Sequence, residues 1–132
     1  TGFVAARNIA GQLVFELPER GVTRHPRQVR DFAGKLAKVG SALAVDHVLG
    51  LSAFNDLRPL KPAYVKLDGS HTRSLPDDPD SGLLIQALAG LAHAMGARLI
   101  AEAVETAEQE RQLKALNVDG LQGYWIGEPR LP

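Results

Sequence analysis

The sequence contains no cysteine, which excludes disulfides and zinc–thiolate sites and fits a cytoplasmic location. It has no excess of either charge: fifteen basic and fifteen acidic residues cancel, so nothing in the balance argues for DNA, RNA or an anionic membrane surface. No apolar run reaches the roughly 18–20 residues of a membrane span, and no basic-plus-apolar leader suggests export. No G-x-G-x-x-G or Walker lysine pattern follows a candidate strand, so a dinucleotide or P-loop phosphate cradle is missing. No Gly-x-Ser-x-Gly elbow is present either. The chain opens on Thr1 rather than an initiator Met, and we read it as a piece of something longer. Its 132 residues suffice for one domain with a real core.

What is present is a repeated pattern: a short apolar run ending in a polar group. Ala42-Leu-Ala-Val-Asp46-His47 is the clearest case, since a strand covered on both faces reads as continuous apolar residues. The same shape recurs at Leu13–Glu16, Tyr64–Asp68, Leu99–Glu102 and Gly120–Gly123. The expected strands are Leu13–Leu17, Ala42–His47, Ala63–Leu67, Ala97–Val104 and one within Asp119–Ile126. Between them the spacing predicts a helix over His25–Val39, with an apolar stripe of Val29, Phe32, Ala33, Leu36 and Ala37. A short helical segment follows near Ser52–Arg58. A helix over Leu83–Met95 presents Leu84, Leu88, Leu91, Ala92 and Met95, capped by Asp80 or Ser81. A last helix spans Ala107–Leu116, with Thr106 and Gln109 matching a capping box. Thr1–Ile9 reads as the tail of a helix, Ser70–Pro79 as the longest and most mobile loop, and Pro129 and Pro132 as the end of regular structure.

Repeated βα units with short connections imply a parallel sheet with helices outside it. A doubly wound open sheet and a portion of a TIM-type (β/α)8 barrel both fit. The barrel explains more, because polar residues from successive strand ends would then converge at one mouth. A full barrel needs about 250 residues, so the chain is expected to be a partial barrel of about five parallel strands.

Gathered at that mouth, Glu16, Asp46, His47, Lys66, Glu102 and Gln122 would place three carboxylates, an imidazole, an ammonium and an amide together. Strands seldom bury a carboxylate without a cation, and oxygen-rich ligation suits Mg²⁺ or Mn²⁺. Lys66, held between apolar neighbours with Tyr64 and Asp68 on its side of the strand, is a candidate fixed point charge. The pattern favours metal-assisted phosphoester hydrolysis over redox chemistry or acyl transfer. His47 reads equally as a core histidine, as a donor behind the ligands, or as an altered ligand.

At these residues the sequence resembles the C-terminal part of an EAL domain, the family of cyclic-di-GMP phosphodiesterases of bacterial signalling. The resemblance rests on Phe15-Glu16-Leu17-Pro18-Glu19, Val45-Asp46-His47, Val65-Lys66-Leu67-Asp68, Leu91–Gly96, Ala101–Gln109 and Gln122–Pro129, and so runs over essentially the whole chain. It implies that Glu16 binds metal, that Glu19 anchors the loop after the second strand, and that Asp46 helps assemble a two-metal site. It further implies that Lys66 holds the attacking water, that Glu102 lies near the second metal and that Gln122 lines the pocket. Cyclic-di-GMP would lie across the barrel mouth and be opened to the linear dinucleotide.

The chain also departs from the family. His47 stands where a second aspartate is usual, and Mg²⁺ accepts imidazole poorly, although Mn²⁺ tolerates it better. Val48–Ala53 replaces the loop Phe-Gly-Thr-Gly-Tyr-Ser-Ser, and Ala103 replaces a glycine. The strand bearing Glu-Ala-Leu and the strand bearing a metal-binding asparagine have no counterpart here. These departures predict a degenerate, non-hydrolytic domain serving as a cyclic-di-GMP sensor or interaction module, inactive as this piece and holding no metal. The alternatives are a working phosphodiesterase whose other ligands precede Thr1, with His47 tolerated, and a purely associative role. Splitting a barrel would expose sheet edges at the first and last of the five strands, so self-association through them is expected.

Overall fold

The structure, a computed structural model, describes residues 5–9, 12–75, 77–123 and 127–130. A seven-stranded sheet runs in sequence order from β1 to β7. Its central five strands are parallel: β2 (Gln12–Pro18), β3 (Ala42–Val48), β4 (Tyr64–Leu67), β5 (Arg98–Ala101) and β6 (Gly120–Gly123). This is the partial barrel that the alternation of apolar runs predicts. β1 (Ala5–Ile9) and β7 (Gly127–Arg130) flank it antiparallel, against β2 and β6 respectively.

Those outer strands correct three expectations. Residues 5–9 form a strand, not a helix tail, with Ala5 opposite Glu16 and Ile9 opposite Gln12. Pro129 lies inside β7, where a position at the sheet edge tolerates the missing N–H. The edges expected at the first and last of the five parallel strands are therefore paired, and β1 and β7 end the sheet instead.

Alternation along each parallel strand divides the sheet into two faces. Leu17, Leu43, Val45, Val65, Leu67, Leu99, Ala101 and Leu121 point to the main core beneath the helices. Helix α2 (Pro26–Lys38) supplies Val29 and Leu36 to that core, and Phe32 meets Phe15 of β2 edge to face at 5.9 Å. Helix α5 (Pro79–Ala94) supplies Ile85, Leu88, Ala89 and Ala92. It starts earlier than expected because Asp78 caps it and Pro79 opens its first turn, where a missing N–H is harmless. Helix α6 (Ala107–Ala115) carries the complete capping box between Thr106 and Gln109.

Two short helices lie where loops are expected. α1 (Glu19–Arg24) follows β2 directly, and α4 (Gly69–Ser74) occupies the first half of the polar segment after β4. α4 is held at its start by Asp68, whose carboxylate accepts from the Ser70 N–H at 3.0 Å. Gly69 is required there, since a Cβ would stand 2.8 Å from the Cβ of Ala103. The segment between β3 and β4 is one 3₁₀ turn, helix α3 (Phe54–Leu57) and a second 3₁₀ turn. No helix among the described residues is long and apolar enough to cross a membrane.

Ala103 itself has φ +61°, a left-handed conformation that a Cβ disfavours. Ala103→Gly is expected to stabilise the fold by about 0.5–1 kcal/mol, the left-handed penalty less the extra unfolded-state freedom of glycine. A higher midpoint of urea unfolding at unchanged slope is the expected readout.

Candidate active site at the strand ends

The second face of the sheet is built in layers. Its lower layer is a small apolar cluster of Val14, Ala42, Ala44, Tyr64 and Ile100. Two residues further along each strand, the period-two alternation places Glu16, Asp46, Lys66, Glu102 and Gln122 on the same side. Apolar floor and polar layer thus come from the same strands, offset by one repeat. The polar layer lies toward the C-terminal strand ends, where barrel enzymes keep their chemistry, and the apolar floor lies below it.

Lys66 is the centre of the layer. It is fully buried, its ammonium is ion-paired with the buried carboxylate of Glu16, and it donates to Gln122 Oε1 at 3.1 Å. Asp46 and Glu102 stand beside it. One ligand atom from each of Asp46, His47 and Glu102 lies within 4.8 Å of the others. Burial, a hydrogen bond with Asp46 and the negative charges of Asp46 and Glu16 push the Glu102 carboxyl up to about 9, with Lys66 only partly opposing them. Glu102 Oε1 is buried with no hydrogen-bond partner among the described residues. This concentration of acceptors among the described residues fits a divalent cation held by Asp46, His47 and Glu102.

His47 reaches this group through an irregularity in β3. The β3–β4 register shifts between Val45 and Val48, and His47 has φ +56°. Bulges of this kind re-aim side chains beside active sites, and histidine is among the residues that enter the left-handed region more readily. The His47 N–H donates to Asp46 Oδ1 at 2.7 Å, which secures the kink. The side chain is 62% exposed. Its Nδ1 lies 3.2 Å from Asp68 Oδ1 and its Nε2 3.7 Å from Asp46 Oδ2.

Two residues outside the candidate set belong to this region. Asp68 is the first: burial works to raise its carboxyl, but hydrogen bonds from Ser70 and His47 and the charge of His47 outweigh it and hold the group low. His71 is the second, and its Nε2 donates to the Leu49 carbonyl at 2.6 Å. Glu19, at the start of α1, accepts a backbone hydrogen bond from Leu49; burial nevertheless raises its carboxyl, with Asp56 and Asp68 adding to the effect. The connection after β3 is therefore held at both backbone groups of Leu49. Asp68 could be suspected from its place at a strand end, whereas His71 carries no sequence signal until α4 is recognised.

The model of the EAL domain matches residues 3–129. The chain is 35% identical over 121 residues to the cyclic di-GMP phosphodiesterase PA2567 of Pseudomonas aeruginosa, covering 91% of this chain and 21% of that protein. Among solved structures, the PaMucR phosphodiesterase in complex with c-di-GMP aligns with a TM-score of 0.78 at 26% identity, covering 90% of this chain and 48% of that one. The FimX EAL domain from Pseudomonas aeruginosa bound to c-di-GMP aligns with a TM-score of 0.81 at 25% identity, covering 88% and 48%. The chain thus spans about a fifth of the curated relative and about half of each solved chain.

These findings overturn the expectation of a degenerate, non-hydrolytic module that is inactive as this piece. The expectation leaned on His47 standing where a second aspartate is usual, with its role left open among core histidine, donor behind the ligands and altered ligand. In the structure His47 offers an atom within 4.8 Å of those of Asp46 and Glu102, so the replacement keeps at this position a group able to hold a metal ion. The relatives matched across nine-tenths of the chain include named phosphodiesterases. With a match that runs from residue 3 to residue 129, the chain belongs to the EAL-domain family.

Proposed function

We propose that this chain forms the catalytic half of a metal-dependent phosphodiesterase acting on cyclic-di-GMP. The observation that carries the reading is the fully buried Lys66, fixed by Glu16 and Gln122 beside the Asp46–His47–Glu102 group. An ammonium has three donors. Glu16 and Gln122 take two of them, which leaves the third to position an attacking water. Asp46, His47 and Glu102 would hold Mg²⁺ or Mn²⁺, with Glu16 contributing from the neighbouring strand. When bound, such a cation polarises a phosphoryl oxygen and lowers the pKa of bound water. Glu102, ionised under those conditions, stands ready to take the proton of the water. The water oxygen would bond to phosphorus as one P–O ester bond breaks, and the proton would pass on to the departing ribose oxygen, which opens the ring to the linear dinucleotide. Glu19 and His71 keep the connection after β3 in place over the mouth.

The named activity and bound ligand of the relatives support this substrate class. The test is turnover of cyclic-di-GMP by the full-length protein with Mg²⁺ and with Mn²⁺, followed by chromatography of the linear product. Glu102→Gln is expected to lower the rate by about 10²–10⁴-fold, the usual worth of a positioned acid–base group. An unchanged rate in that variant would refute the assignment.

A further inference from the structure

We infer that His47, oriented by Asp68, makes this centre selective for transition-metal cations over Mg²⁺, with Nε2 as the ligating atom. The inference rests on the phosphodiesterase reading and specifies the cation that serves it.

The argument begins with the proton on the imidazole. Asp68 faces Nδ1 at 3.2 Å. A carboxylate oxygen at this distance is the natural acceptor for a ring N–H, so the geometry places the proton of the neutral ring on Nδ1. That leaves the lone pair on Nε2, the nitrogen turned toward Asp46 Oδ2 at 3.7 Å. Two donor atoms each about 2.1 Å from a shared ion stand about 3.0–3.6 Å apart, so this separation needs only a small closure. The arrangement carboxylate–imidazole–cation is how metal-ligating histidines are commonly fixed in tautomer and direction.

The backbone contributes as well. The shifted register between Val45 and Val48 and the left-handed φ at His47 turn this residue toward its acidic neighbours. Asp68 gains its own position from the start of α4, where it accepts the Ser70 N–H. A set of two carboxylates and one imidazole differs in kind from an all-oxygen set. Mg²⁺ demands hard oxygen ligands and gives up water reluctantly. Imidazole strengthens binding to first-row transition metals and to zinc.

The test uses the full-length protein, with Mn²⁺ and Mg²⁺ as probes. Pulsed electron paramagnetic resonance of bound Mn²⁺ is expected to show modulation from one coupled ¹⁴N. His47→Asp and His47→Asn, two residues that also accept a left-handed backbone, are expected to lose that signal while still melting cooperatively. In a competition titration the preference for Mn²⁺ over Mg²⁺ is expected to fall at least tenfold in His47→Asp. Asp68→Asn is expected to weaken Mn²⁺ binding by about 10–100-fold through the imidazole it orients. Bound Mn²⁺ without nitrogen coupling, or an unchanged Mn²⁺/Mg²⁺ ratio in His47→Asp, overturns the inference and leaves the phosphodiesterase reading standing. Failure of the wild-type protein to bind either cation overturns both.

Discussion

Lys66→Met is expected to abolish hydrolysis of cyclic-di-GMP and to destabilise the fold by about 3–5 kcal/mol, the usual cost of removing one partner from a buried ion pair. The lysine is fully buried and Glu16 nearly so, so the variant leaves a carboxylate in a low-dielectric layer that already holds Asp46 and Glu102. The two losses have different origins and can be separated. Adding Glu16→Gln to Lys66→Met removes the carboxylate that has lost its ammonium, and stability is expected to recover by part of the deficit. Activity is expected to stay at background, because the donor for the attacking water is still missing. Urea unfolding of the two variants, read beside their turnover, separates the buried-charge cost from the loss of activity, with Glu16→Gln alone as the control for the part Glu16 plays in holding the cation. Recovery of activity in the double variant would show that Lys66 serves only to neutralise Glu16.

Raising the pH of cation-free protein from about 4.5 to about 9 is expected to lower its stability progressively, through Glu102. The folded-state value of this group is about 9 against 4.5 for the unfolded chain, so between those limits the folded protein binds the extra proton. Stability then falls with pH. The contribution is whole below about 4.5 and gone once the pH has passed through about 9. Asp68 acts in the opposite sense and in a different window. Its depressed value contributes stability above the unfolded 3.8 that is lost as the medium becomes more acid. A divalent cation has to displace the Glu102 proton. Isothermal titration at pH 7 in buffers of different ionisation enthalpy is therefore expected to count about one proton released per cation bound, and none in Glu102→Gln. Equal proton release in the two proteins would mean that Glu102 is already ionised and is not the group the cation meets.

The parallel sheet is legible in the sequence because each of its five strands is a compact apolar run with a polar end. The parity that gathers the candidate site is legible in one strand: Tyr64 and Lys66 share a side, and Val65 and Leu67 the other. The same rule, extended to Ala44 with Asp46 and Ile100 with Glu102, accounts for the whole polar layer. What escaped the sequence depends on partners distant in the chain. β1, with Ala5, Ala6, Arg7 and Asn8, has little intrinsic preference for a strand and becomes one through β2. α1 contains Gly21, Val22 and Thr23, poor helix formers over so short a span. α4 has no apolar stripe to announce it and forms behind the Asp68 cap, with buried Thr72 inside it. His71 was hidden for the same reason: its bond to the Leu49 carbonyl exists only once α4 is in place.

The left-handed backbone at position 47 also limits how the proposed metal centre can drift over evolutionary time. Branched aliphatic residues are penalised there before any ligand chemistry is considered, whereas aspartate, asparagine, histidine and glycine are admitted. Three of those four carry an atom able to coordinate a cation. A neutral walk through sequence space at this site therefore passes mostly through residues that re-tune the metal preference, and a kink in one strand acts as a filter that keeps the centre adjustable.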